Sequence, residues 1–480
     1  MGMIATLKRW FNMFFRNQAE KDFLIDIPEM PEMGTLISKC ARIYSGIPEW
    51  ANPSTGVKTI NFAKALCSET ARLAMLATTV TIDGSERAEW LQGQLDSVYY
   101  KIRHWIEYGC AYGTVFLKPN GKTIDVYTPN DILLVDFDNN NVNGIIFKDS
   151  YVGGKKYYTR LEYHRFVQAE DGTEPYVITN KAYVSRNSDD IGKPVPLEET
   201  RWADLMEETP PILKADGSKL DGALFGMFKT PQANNVDISS PLGLPIYAEA
   251  IEELRDLDVA YSRNATEIFD SEKIILADDR LLIPDGMSMK SHTADGMRRR
   301  MDEMKLPHYV KNVFGADAGT FYQEINPQLN TSVRLEGINA LLSQIGYKVG
   351  FSNGYFVFNQ SSGIQTATGV EAEQQRTIQF VKDVRDKVQE ALDSLIYALN
   401  VMADLYDYAP VGQYEVNYDF GDITYNRDED RNRWWSYVIS GQIPAWYFFQ
   451  KFEGLSEEDA KALIEQATPH TESLFGNEEE

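Results

Sequence analysis

Residues 331–369, TSVRLEGINALLSQIGYKVGFSNGYFVFNQSSGIQTATG, decide how this chain is read. From 337 to 370, between Glu336 and Glu371, the only charge is Lys348. The chain as a whole is 25% charged, so about eight charges are expected in a segment of that length. The first part repeats apolar residues at helical spacing, with Ile338, Leu341, Leu342, Ile345 and Val349 on one face. The second part is a polar, Gly-punctuated connector rich in amides and hydroxyls. After it comes the longest uninterrupted pattern in the chain, with no Pro or Gly from Val370 to Tyr408. At ~1.5 Å per residue such a helix would reach roughly 55–60 Å. Val381, Val388, Leu395 and Met402 recur every seven residues, as do Ile378, Leu392 and Leu399, with Arg385 interrupting the second series. A helix of this kind needs other helices beside it, as a core helix in a helical wall or as a coiled coil.

Upstream, the pattern from Asn61 to Gly113 is helical, and residues 114–185 switch to strand-like alternation broken by turn clusters such as DNNNVNG and EDGTEP. Strands after helices predict an α+β body. A loop-rich stretch, 186–240, precedes a helix opened by Pro245. Residues 271–330 read as a compact insert: a strand in EKIILADD, a basic helix around MRRRMDEMK, and a second strand in TFYQEINP. Near the end, YEVNYDF and GDITYN read as strands, followed by short helices with stops at Gly441 and Gly454. Ser456 and Asp459 are spaced like a capping box, and the tail GNEEE reads as frayed. The opening MGMIATLKRWFNMFFRNQAEK is amphipathic and mildly basic, which suits a packing helix or partner-binding arm better than a signal peptide.

The 480 residues carry a net charge of −24, which argues against a tight coat for DNA, because such binding needs a Lys and Arg surplus. No apolar run approaches the ~20 residues that span a bilayer. Cys40, Cys67 and Cys110 form no C-x-x-C pair and point to a reducing compartment. Several motifs only mimic catalysis. Gly350-Phe351-Ser352-Asn353-Gly354 has the form of a nucleophile elbow but lacks the strand before and helix after, and reads as a flexible turn. Gly121-Lys122-Thr123 lacks the first glycine of a phosphate-binding loop, with Phe116 in its place, and reads as a hairpin turn. Asp136, Asp138 and Asn140 resemble a calcium loop, but Asn141 stands where glycine is required, so a β-turn is expected. The five histidines show no ligand spacing and no carboxylate pair stands out. Neither a metal nor a cofactor is implied, and the chain does not read as an enzyme.

From residue 236 onward, the order of parts resembles tailed-bacteriophage portal proteins. SSPLGLPIYAEAIEELRDLDVAYSRNATEI looks like the helix that begins the portal stem, and YQEINPQLNTSVRLEGINALLSQIGYKVGF like the strand returning from the clip and the second stem helix. GIQTATGVEAEQQRTIQF is similar to the end of the tunnel loop entering the long wing helix. VYTPNDILLVDFDNNNVNGIIF and YYTRLEYHRF resemble wing strands, and SGQIPAWYFFQKFEGLSEEDAKAL the closing segment.

The resemblance implies an elongated α+β subunit in seven parts: arm and wing (1–235), first stem helix (236–270), a small α/β clip (271–330), second stem helix (331–350), tunnel loop (351–370), long wing helix (371–410) and a C-terminal wing and mostly helical crown (411–480). One departure is that the family's wing helix is commonly kinked, whereas 371–408 offers no Pro or Gly to cause a kink. The family forms a ring, typically of twelve copies, at one capsid vertex. Double-stranded DNA passes through it at packaging and ejection. Implied partners are further copies of the chain, the terminase large subunit, major capsid and scaffolding proteins, and the head–tail connector.

On that reading, Asn353, Asn359, Gln360, Ser361, Ser362 and Gln365 touch phosphates without strong fixed attraction. Lys348 is either a phosphate contact or an ordinary solvated lysine. Tyr355, Phe356 and Phe358 pack the loop against a neighbouring subunit rather than stacking on bases. Arg298, Arg299 and Arg300 form a solvated helix face or meet the next subunit, a partner or DNA. A capsid-associated adaptor that never encloses DNA is the competing class, and a hydrolase using Ser352 a remote one.

Overall fold

The computed structural model describes residues 15–52, 54, 56–120, 123–139, 141–187, 190–214, 216–270, 274–278, 310–313, 322–325, 331–358, 367–421, 434–453 and 455–467. A helix at 15–23 precedes α1 (Pro31–Tyr44), which starts at a proline whose fixed φ and missing N–H suit a first helical turn. The helical run expected from Asn61 to Gly113 is two helices, α2 (Phe62–Ala74) and α3 (Glu86–Tyr112), separated by a strand, β1 (Thr78–Gly84). The segment TTVTIDG opens with five consecutive β-branched residues and buries alternate positions, Val80 and Ile82. Its pairing partner lies at the far end of the chain, so a local reading gives it to the flanking helices.

The expected strand region folds as two sheets. In one, β2 (Thr114–Asn120) lies between β3 (Thr123–Tyr127) and a later strand, β9 (Gly226–Lys229). Asn120 stands opposite Thr123, as the hairpin reading requires, and residues 121 and 122 lie outside the described residues. The other is an antiparallel meander of β4 (Ile132–Phe137), β5 (Val142–Gly153), β6 (Lys156–Phe166), β7 (Tyr176–Ser185) and β8 (Lys193–Val195). The calcium-like stretch is a turn, closed by Asp138 N–H to Asn141 O (3.0 Å) and Asn141 N–H to Asp138 Oδ1 (2.8 Å). One face of β5 buries Ile145 and Phe147 against Phe116 and Phe225; the other buries Ile146 against Phe15, Leu161 and Tyr183.

After a 3-10 turn at Ala248–Ala250, α4 spans Ile251–Asp270, so the α-helix proper begins six residues beyond Pro245. Among its described residues the 271–330 insert contributes three strands where two were expected: β10 (Ile274–Asp278) pairs in parallel with β11 (Val310–Val313) and antiparallel with β12 (Tyr322–Ile325). The basic helix expected around 297–305 lies outside the described residues. Next come α5 (Thr331–Val349) and the 39-residue α6 (Ala367–Leu405), then β13 (Tyr414–Phe420), which pairs with β1.

The heptad residues of α6 are core, but their wall is mixed: α6 packs on α2 and α3 and also on β2 and β9. Gly226 lets β9 lie against α6, because a Cβ there would stand 2.3 Å from Ala391 O. Arg385, the interruption in the heptad series, is buried and caps the C-terminus of α2. It donates to Leu73 O (3.3 Å), Ala74 O (3.0 Å) and Leu76 O (2.9 Å), the first two of which also accept from Leu76 N–H (3.3 Å) and Thr78 Oγ1 (3.1 Å). Arg87, in the first turn of α3, is equally buried and binds the end of α6. It donates to Asn400 O (2.8 Å), Asp404 Oδ1 (2.6 Å), Ala409 O (2.7 Å) and Pro410 O (2.9 Å).

The chain divides into two compact units, Met1–Tyr418 and Asp419–Glu480. The second holds α7 (Ala445–Glu453) and α8 (Glu457–Ala467) around buried Phe448, Phe452 and Ala460. The Ser456 capping box forms, with Asp459 N–H donating to Ser456 Oγ (3.1 Å). The expected GDITYN strand and the GNEEE tail lie mostly or wholly outside the described residues, as does Gly454.

Arg385→Leu is expected to lower the unfolding free energy by about 2–4 kcal/mol, because the charge-assisted hydrogen bonds of a buried guanidinium to three carbonyls are lost. Arg385→Lys should recover less than half of that, since an ammonium cannot span the same fork. Urea denaturation of the two variants beside the parent chain measures both.

Candidate functional site

The charge-poor segment joins α5 to α6 and is held from both sides. The last turn of α5 lies beside the first turn of α4. Lys348 Nζ donates to Glu249 O (2.9 Å) and Glu253 Oε1 (2.6 Å), and Gln344 Nε2 to the same carboxylate (3.3 Å). Burial works to raise the Glu253 pKa, but the Lys348 hydrogen bond and charge outweigh it and hold the carboxyl below its usual range. Lys348 is thus neither a free phosphate contact nor an ordinary solvated lysine. It ties two helices together.

Beyond Val349 the chain turns at Gly350, with φ of +124°. A Cβ there would stand 2.7 Å from the Phe380 ring, so both backbone and packing demand glycine. Phe351 is fully buried, with Phe356 (4.8 Å), Tyr355 (5.0 Å) and Phe380 (5.5 Å) around it. Ser352, expected in a flexible turn, is buried instead and exchanges hydrogen bonds with α6. Its N–H donates to Thr377 Oγ1 (2.8 Å), while Thr377 N–H (3.2 Å) and Oγ1 (3.0 Å) donate to Ser352 Oγ. Among the described residues Thr377 is the hydrogen-bond partner of its hydroxyl and is not a base, and the exchange holds the connector against α6.

Tyr355 and Phe356, expected to meet a neighbouring subunit, already have partners within the chain. The Tyr355 hydroxyl donates to Glu69 Oε1 (2.5 Å), and Phe356 sets its edge against Phe62 on α2 (5.2 Å). Arg72 holds Glu69 through two bonds of 2.8 and 2.7 Å. This hydrogen-bonded pairing holds the Glu69 carboxyl below its usual range, while burial and the Glu69 contact push the Tyr355 phenol up to about 12. Phe358 is pinned by its backbone to Asn339 (2.9 and 3.0 Å), but its ring is 55% exposed. Asn353 is exposed. Asn359, Gln360, Ser361, Ser362 and Gln365 lie outside the described residues, as do Arg298, Arg299 and Arg300.

Sequence reasoning missed Glu69, Arg72, Asn339, Arg376 and Thr377. Arg376 stands over Tyr347 at 3.9 Å and donates to its carbonyl (2.9 Å). No local signal joins Glu69 to Tyr355, 286 residues apart. On the side of α5 away from its buried face, Val333, Gly337, Ala340, Gln344 and Tyr347 follow at helical spacing and are all exposed, with Glu336 exposed beside them.

A second cluster of titratable groups is buried under the five-stranded sheet. Glu162 is paired with Lys118 and with Arg160 (2.7 Å), and Arg160 also with Asp149. Burial opposes ionisation of Glu162, but Arg160 and Lys118 hold its carboxyl well below the usual range. Burial lowers the His164 pKa, so neutral His164 donates from Nε2 to Glu162 (3.0 Å) and accepts at Nδ1 from the Tyr176 hydroxyl (3.0 Å). Two cations face two anions and pair with one another, with Asp149 partly exposed (12%) and Lys118, Arg160 and Glu162 buried.

Gly350→Ala is expected to cost about 2–3 kcal/mol of stability through its φ and the Phe380 clash. Ser352→Ala should cost about 1 kcal/mol. Urea denaturation measures both. The depressed pKa of Glu69 means that the folded form binds its proton less readily than the unfolded form. Its contribution is therefore complete above the ordinary carboxylate range and is lost as pH falls through the folded value. Glu69→Gln should accordingly flatten the acid limb of the thermal stability profile and leave its shape near neutrality unchanged.

Two solved structures, described as the virion of a native gene transfer agent (GTA) particle and the neck of an empty GTA particle computed with C6 symmetry, are each 13% identical to the chain, with TM-scores of 0.41. They cover 89% and 91% of this chain and 94% of their own chains. No curated protein matches. The profile of the family described as phage portal protein, SPP1 Gp6-like, matches residues 58–469, which takes in both helices, the connector between them and most of each compact unit. The chain belongs to the SPP1 Gp6-like phage portal protein family.

Proposed function

We propose that the chain is the subunit of a ring, a dodecamer as is typical of portals, set at one capsid vertex of a phage or phage-like particle. The ring encloses double-stranded DNA at packaging and ejection and does no chemistry of its own; the terminase large subunit supplies the motor and, after packaging, a head–tail connector takes its place. The observation that carries this is the family match over 58–469, which spans every part the mechanism uses. In this reading α4 and α5 are the two stem helices, 271–330 the clip, α6 the long wing helix, and the second compact unit the crown. The subunit meets major capsid and scaffolding proteins during assembly in the host cytoplasm and resides in the virion.

Twelve copies would carry roughly −290 charges before screening, enough to repel a duplex from most of the wall and keep it centred. The wall then meets DNA through uncharged groups. Asn353 is the described member of that set. Residues 359–365 complete it, and the anchored stretch 351–358 is its fixed base. Lys348 drops out of the set because its charge is spent on Glu253.

Negative-stain images of the purified chain should show rings with a central hole of about duplex width. Monomers or open filaments at every concentration would overturn the proposal and favour a capsid-associated adaptor. Deleting 359–365 should leave ring assembly intact while packaged DNA falls by about tenfold or more; loss of the rings would make the segment a subunit contact instead.

A further inference from the structure

The exposed side of α3 is unusual for so acidic a chain. Lys101, Arg103 and His104 stand in solvent beside Tyr100 and Tyr108, and Tyr100 is 70% exposed. Lys101 lies over the Tyr100 ring (5.5 Å). Asp96 is the exposed acid nearby on the same helix, one turn away. Arg and Tyr together, standing clear of the core, are the composition enriched where protein surfaces meet.

An opposite surface exists elsewhere in the same unit. After β8, the edge strand of the meander, the chain forms a 3-10 turn at Leu197–Glu199 and continues to Thr209. Glu198, Glu199, Asp204, Glu207 and Glu208 are all exposed there, with Met206 among them, while Trp202 anchors the segment under Tyr151 (5.0 Å). Arg201 is the one base in the stretch, and it lies over the Tyr151 and Trp202 rings. Glu208 approaches Arg165 at 3.9 Å; among the described ion pairs, none takes up Glu198, Glu199, Asp204 or Glu207.

We propose that the α3 face of one copy docks on the 198–208 segment of the next copy. The inference rests on the ring reading above and names a contact that builds the ring. A closed ring uses head-to-tail contacts, which need two different, mutually complementary patches on each copy. Copies that each carry −24 repel one another, so a cationic face is most valuable where two copies touch. One cationic, tyrosine-bearing face and one anionic segment on the same rigid unit meet that requirement. Duplex DNA is the other polyanion such a face would attract, but the tyrosines, one of them 70% exposed, offer apolar area that a phosphate backbone does not use.

The test compares four full-length proteins by sedimentation and negative-stain imaging: the parent, K101E/R103E, D204K/E207K, and the chain carrying all four changes. Each reversed pair should raise the concentration for half-maximal ring formation by about tenfold or more, while the fourfold variant, with polarity exchanged on both sides, should return close to the parent value. K101Q/R103Q is the milder variant if charge reversal prevents folding. It should raise the same midpoint by a smaller factor and make it less sensitive to salt. Thermal melting of unassembled protein should be unchanged throughout. Rings formed equally well by both reversed pairs would overturn the docking while leaving the ring reading intact, and so would a fourfold variant that stays unassembled. Reversed α3 that forms rings but loses DNA retention would reassign the face to DNA. A parent protein that never forms rings would sink both readings.

Discussion

Two buried guanidinium groups fix the axial position of a 39-residue helix, and the rest of the first unit is arranged around that fixed position. Arg385 reaches out of α6 to carbonyls at and just past the end of α2, and Arg87 reaches out of α3 to Asn400 within α6 and to Ala409 just beyond it. A helix held only by its apolar stripe slides along its neighbours at modest cost, because one leucine resembles the next. Moving α6 by one turn, about 5.4 Å, would strand two buried cations and several carbonyls at once. The polar groups thus supply the register that the heptads leave open. From the same helix, Thr377 and Phe380 receive the connector, so the register of α6 also sets where the connector is anchored.

The shortage of charge in 337–370 has three separate physical origins. Along α5, one face is buried and uncharged for the usual reason. The opposite face, beyond the exposed Glu336, carries uncharged exposed residues from Gly337 to Tyr347, of which Gln344 bonds Glu253 and Tyr347 lies under Arg376. From Phe351 to Phe358, the chain is an aromatic plug between α5, α2 and α6, where an unpaired charge would be costly. One lysine survives because a carboxylate and a carbonyl on α4 await it.

What could be read from the residues follows the range of each interaction. The spans of α5 and α6 were legible because an apolar repeat is a local property, and the meander because its strands are neighbours in sequence and joined by turn residues. β1 was lost because its alternation, Val80 and Ile82, is too short to outweigh the helices beside it without its remote partner. The site was least legible. Ser352, Tyr355 and Lys348 were legible as residues of note but their intrachain partners were not, since Thr377, Glu69 and Glu253 enter from elsewhere in the chain. Arg385 was visible only as a flaw in a heptad, and the flaw was the pin.

The pairing of β1 with β13 bears on how the molecule is made. Ser85 at the end of β1 donates to Gln413 O, 328 residues later, and the strand bonds to β13 just beyond. During synthesis β1 must therefore wait, with an open hydrogen-bonding edge, until most of the chain has left the ribosome. Such an edge is a template for the wrong strand, including the same strand of a sister chain. Chains broken off before residue 414 would keep that edge permanently. Folding of the first unit is thus coupled to near-completion of translation.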